Sequence, residues 1–190
     1  MIERYVRKQH IADASFFDMP LLLTEERGDF VSFRDQLTRE INPRGILEEI
    51  FAAELAAHTW EICRLQRCRT LVINMALENA LAQLLIRIVD PDDSTDCIVL
   101  ARNWFSEPEA KSEVAELLSD IQLDEAAIVA QATRAVYNDL RQLDRMISLQ
   151  QSLRDKLLRS LVKYRKSFAI RVDEAIARTE QRPRLESRPG

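Results

Sequence analysis

Two histidines and three cysteines are all the imidazole and thiol chemistry available to this chain of 190 residues. Its tightest metal-like set is His58, Cys63 and Cys68. On a helix, steps of five residues turn each side chain by about 140°, so the three point around the cylinder and cannot converge on a tetrahedral ion. Cys63 and Cys68 therefore read as small apolar fillers. Glu54 and His58 share a face four residues apart, but a di-iron bundle needs Glu-x-x-His pairs from two helices and neither occurs. They read as a hydrogen-bonded helical pair. Asp90, Asp92, Ser94 and Asp96 alternate like the first ligands of a calcium loop, yet Thr95 stands where the essential Gly belongs and Ala101 where the bidentate Glu belongs. That stretch reads as a helix stop and cap.

Phosphate and acyl chemistry find no better footing. Gly28, Gly45 and Gly190 are isolated, no Gly-Lys-Ser/Thr is present, and there is no nucleophile elbow. Adjacent acids such as Glu48-Glu49 and Asp92-Asp93 point different ways on a helix and sit in solvent. The residues predict no catalytic group, no cofactor and no metal, hence a non-enzymatic protein.

What must position side chains here is helix. With 46% hydrophobic and 31% charged residues but only 3 Gly and 6 Pro, the chain has a core and too little turn material for many short strands. Residues 1–28, with Phe16-Phe17 and Leu21-Leu22-Leu23, read as an N-terminal strap. Asp29 is the expected N-cap of a short helix through Ile41, and Asn42-Pro43 the corner that stops it, with Asn42 capping the next helix and Pro43 at its first position. From 44 to 89 apolar residues recur at helical spacing, a rod of about 69 Å. Asp90-Pro91-Asp92-Asp93-Ser94 breaks it, shorter elements follow near Val99–Phe105 and Glu107–Ile121, and a cap-like Asp124 opens a second rod to about Ala177.

Two such rods bury their stripes by lying antiparallel. The expected fold is thus all-α, a long antiparallel helical hairpin of rods 44–89 and 124–177 with shorter helices packed at its ends. A single helical domain spans 29–178 and a disordered tail spans 179–190. The expected seam is Phe51, Leu55, Ile62, Leu65, Leu153, Leu157, Leu161 and Phe168. Gln150 interrupts that seam, either fixing register or oligomeric state or facing water where the seam drifts. Trp60 and Trp104 belong to core or seam unless exposure marks them as an interface.

Charge is the most informative feature. Glu107, Glu109, Glu113, Glu116, Asp120, Asp124 and Glu125 oppose only Lys111, while Arg154, Lys156, Arg159, Lys163, Arg165, Lys166 and Arg171 oppose only Asp155. Arg64, Arg67 and Arg69 extend a basic face if the first rod's middle lies near it. Such a face suits phosphates, with Tyr164 as a stacking group, or is simply solvated, or pairs with acids of a neighbouring subunit. The net charge of −4 argues against a protein that coats nucleic acid with its whole surface.

Three irregularly spaced cysteines make no disulfide framework, and the first eight residues already carry four charges with no apolar run of signal-peptide length after them. No uncharged stretch is long enough to span a bilayer. The expected setting is the cytoplasm, without membrane association.

Several stretches resemble a set of uncharacterised bacterial helical proteins, associated with mobile elements: Pro20-Leu21-Leu22-Leu23, Pro43-Arg44-Gly45-Ile46-Leu47-Glu48-Glu49, Trp60-Glu61-Ile62-Cys63-Arg64-Leu65-Gln66-Arg67, Leu143-Asp144-Arg145-Met146-Ile147 and Leu153-Arg154-Asp155-Lys156-Leu157-Leu158-Arg159. The resemblance implies an all-helical protein and supplies no activity, substrate or catalytic residue.

The sequence thus predicts a helical interaction or scaffold protein that self-associates, or joins another helical protein, through its seams. The alternative is a nucleic-acid-binding accessory protein of a phage or mobile element, a helical oligomer broadly like small terminase subunits. It would use Arg64, Arg67, Arg154, Arg159, Lys163, Arg165 and Lys166.

Overall fold

A computed structural model describes residues 19–89 and 94–180 of the chain. Among the described residues every regular element is a helix: α1 Arg27–Ile41, α2 Ile46–Ile88, α3 Ser94–Asn103, α4 Pro108–Asp120, α5 Glu125–Ala135 and α6 Tyr137–Glu180. The all-helical expectation holds. Most of the strap, most of the tail, His10 and the acids at 90, 92 and 93 lie outside the described residues.

Local physics explains where the boundaries depart from expectation. Asp29 is not the N-cap of α1; Glu26 holds that place, in extended geometry and with no side-chain bond to the helix. Nor does Asn42 cap α2. It closes α1 in the left-handed region at φ 48°, a conformation Asn tolerates, and its N–H donates to Thr38 O at 2.9 Å. Pro43 therefore lies in the connection, and α2 starts at Ile46. Asp124 does cap α5, its carboxylate accepting from the Ala126 N–H at 2.9 Å.

The second rod is not continuous from 124. At Val136 (φ −104°, ψ 20°) one N–H is shared between Ala132 O and Arg134 O, which ends α5, and α6 begins at the next residue. Ile128, Ala132 and Leu140 stay buried across this interruption. Apolar spacing therefore gives no sign of it.

The chain divides into two compact units, Met1–Trp60 with Gln151–Gly190, and Glu61–Gln150. In the first, Ala52, Leu55, Ala56 and Leu161 are buried, as is Phe30 of α1. Phe30 meets the Trp60 ring edge-on at 5.4 Å, with Phe33 at 6.0 Å. The Trp60 Nε1–H donates to Glu25 Oε1 at 3.0 Å, so the residues just before α1 are tied to α2. In the second unit, Leu81, Leu85, Cys97, Ala101, Val114, Leu118 and Ile128 form one cluster that joins α2, α3, α4 and α5. Gln131 Nε2 donates to Gln83 Oε1 at 3.1 Å, and Arg69 Nε donates to Asp144 Oδ1, also at 3.1 Å.

Candidate interaction surface

The basic residues singled out in the sequence separate into two groups. Arg165 is committed to its own fold. Its Nη2 donates to Glu48 Oε2 at 2.8 Å and to the carbonyls of Ile41 at 2.6 Å and Asn42 at 3.4 Å. Glu48 is 4% exposed, and the same Oε2 accepts the Arg44 N–H at 3.1 Å. A charge this buried persists only when paired and hydrogen-bonded. The Arg165 hydrogen bond is the main force holding the Glu48 carboxyl below its ordinary value, against burial, which alone would raise it; the Arg44 N–H assists. The clasp ties α6 to the end of α1 and the start of α2, so Arg165, a phosphate-binding candidate by sequence, has a structural role in its own fold. Arg64 is half-buried against Glu61, and Arg154 donates to Asp155 at 3.2 and 3.0 Å.

Arg67, Arg159, Lys163 and Lys166 form the other group: they are exposed, and none has an ion pair among the described residues. Three of them, Arg159, Lys163 and Lys166, line a shallow open groove on α6 together with Leu158 and Val162. The apolar floor is itself uncovered, Leu158 at 44% and Val162 at 54% exposure.

The expected seam residues also divide. Leu55, Ile62, Leu65 and Leu161 are buried, Phe51 and Leu157 are half-buried, and Leu153 and Phe168 are exposed. The Phe51 ring lies 6.5 Å from Tyr164, which stacks on Phe168 at 6.4 Å. From Lys166 to Arg178 every residue of α6 is exposed, including Phe168, Ile170, Val172 and Ile176. Trp104 packs edge-on against Phe105 at 5.0 Å under the Lys111 ammonium, and its Nε1 is buried without a hydrogen-bond partner.

Sequence reasoning placed Glu48 in solvent and missed the clasp that buries it at 4% exposure. Its only local signal is a Glu in the first turn of a helix, able to reach back to a backbone N–H as in a capping box. The partner Arg165 is 117 residues away. Among the described residues no group of three His, Cys, Asp or Glu side chains could hold a metal ion. By length and composition α2 is apolar enough to cross a membrane, with mean hydropathy 1.4 over its most apolar stretch, 22% of which is buried. Long helices packed in soluble cores pass the same test. Comparison with family models, with curated proteins and with solved structures gives no match.

Proposed function

We propose that this is a non-enzymatic, cytoplasmic helical interaction protein that associates with a second copy of itself through helix faces its own fold leaves uncovered. The observation that carries this reading is the end of α6. Residues 166–178 are helical and each is exposed, and Phe168, Val172 and Ile176, at 47%, 40% and 52% exposure, recur every fourth residue along one side. A helix of this length is marginal alone in water, and an apolar row at that spacing gains by packing on another helix.

The antiparallel hairpin belongs to the same reading. Its support is local pairing within each unit: Glu48 with Arg165 in the first, Arg69 with Asp144 in the second.

The test is mass by light scattering over a concentration series. The parent is expected above its 22.0 kDa chain mass, and the triple variant Phe168→Ser, Val172→Ser, Ile176→Ser at or near it. A parent that stays at 22.0 kDa at every concentration rules the reading out. The nucleic-acid reading keeps one specific support, the four unpaired cations Arg67, Arg159, Lys163 and Lys166. It requires duplex DNA or RNA binding whose affinity falls linearly on a log–log plot against salt.

A further inference from the structure

On α4 the acids Glu109, Glu113, Glu116 and Asp120 succeed one another by four, three and four residues, so they form a single exposed stripe beside the buried row of Ala110, Val114 and Leu118. Lys111 is the only base of this helix. It lies on the far side from the stripe, its ammonium 5.9 Å from the Trp104 ring centre, so no positive charge interrupts the acids. On α6 the bases Lys156, Arg159, Lys163 and Lys166 follow at three, four and three residues, all exposed, on the side of the helix opposite buried Leu161. At 1.5 Å per residue the acidic stripe is about 16 Å long and the basic one about 15 Å. The two are opposite in sign and alike in number and length. None of the eight side chains has an ion pair or hydrogen bond among the described residues.

We infer that the acidic stripe of α4 in one copy docks on the basic stripe of α6 in a second copy. The inference rests on the self-association proposed above and adds to the apolar row at the end of α6 a second, charged contact between the copies. A second copy is favoured over a polyanion because the chain carries its own complement and is acidic overall. Each copy presents both stripes, so a two-fold pair uses the contact twice. Leu158 and Val162 border the basic stripe, and an arriving helix covers them. Exposed ion pairs are individually weak, but an array in register steers the encounter and selects the partner. Charges held at a rim are screened over about 8 Å at physiological salt, so the association must weaken as salt rises.

The experiment compares the parent with two charge-reversed triples, Arg159→Glu with Lys163→Glu and Lys166→Glu, and Glu109→Lys with Glu113→Lys and Glu116→Lys. A third variant carries all six changes. Mass is read by sedimentation at low and high salt, with circular dichroism on each sample. Each triple alone is expected to self-associate at least tenfold more weakly than the parent at low salt. An equimolar mixture of the triples, and the six-fold variant by itself, are expected to regain association. Recovery in the six-fold variant requires a folded chain, which separates lost contact from lost fold. If the parent associates and the triples associate equally well, this contact is overturned while self-association stands. A parent that remains at 22.0 kDa at low salt overturns both. Parent binding to labelled duplex DNA that the basic-to-acidic triple loses, with no change in mass for either triple, overturns the contact in favour of nucleic acid.

Discussion

In the unit formed by Glu61–Gln150, Leu81, Leu85, Val114, Leu118 and Ile128 are at most 1% exposed, and among the described residues no charge enters their cluster. In the other unit, a carboxylate, Glu48, is buried beside Ala52 and Leu55, and what closes the fold around it is a guanidinium from α6, 117 residues later. The first arrangement is built from apolar contacts within one stretch of chain. The second adds to its buried Phe30, Ala52, Leu55, Ala56 and Leu161 a few directional bonds that join two separated segments and are strong only while both partners are present. The dry cluster is expected to set the larger share of stability, and the clasp to hold together the ends it ties. Each unit holds one tryptophan, Trp104 in the dry one and Trp60 in the clasped one. Single-Trp variants let the two be followed separately.

The largest effect is expected from Leu118→Ala, which opens a cavity where the parent side chain has no exposure. A cost of about 3 kcal/mol follows from comparable core truncations, read as a lower denaturation midpoint for Trp104 fluorescence. A loss below about 1 kcal/mol would show that this cluster is not the stable element. Next comes Glu48→Ala, which strands a cation that is 39% exposed. Partial solvation trims the penalty of a fully buried pair to about 2 kcal/mol. Hydrogen exchange should quicken at the start of α2 and around Arg165 while the Trp104 unit keeps its protection.

The acid response sharpens the same contrast. Because the Glu48 carboxyl is held below its ordinary 4.5, its contribution is fully present above that value and is lost as pH falls through the lower folded value. Trp60 fluorescence should therefore report loosening in acid before Trp104 does. In Glu48→Gln the clasped unit should be less stable at neutral pH and should show a smaller further loss in acid. Equal acid slopes in parent and variant would remove the clasp as the cause. The smallest effect is expected from Gln122→Gly, since Gln122 holds φ 60° just after α4, where Leu123 N–H closes on Leu118 O at 2.9 Å. A left-handed position favours Gly, so a gain of about 0.5 kcal/mol is expected in thermal denaturation.

Much of the fold was legible because helix is signalled by periodicity and by the scarcity of Gly and Pro. The rod expected over 44–89 is α2, Ile46–Ile88, and Asp124 caps as its side chain suggests. Val136 was invisible because the helix ladder resumes at once, Leu140 N–H reaching Val136 O at 3.0 Å, and the apolar step is unbroken. Asn42 ends α1 as the sequence suggests but does not also cap α2, because one residue type serves both N-caps and left-handed C-caps and only the backbone angle tells them apart. Among the surface residues, the excess of base around Arg159 and Lys163 could be read directly. That Arg165, within the same run, turns inward could not, since its partners Ile41, Asn42 and Glu48 are set by tertiary contact alone.

The three thiols take no part in disulfides, and they differ in access: Cys63 is exposed, Cys68 half-buried, and Cys97 lies within the apolar cluster at 4% exposure. A thiol reagent added to the folded protein should consume Cys63 in a fast phase, and reach Cys97 only in those moments when α3 lifts away from Leu81 and Leu85. The slow phase of that labelling, followed without denaturant, is a clock for the opening of this one part of the molecule, and it needs no introduced probe.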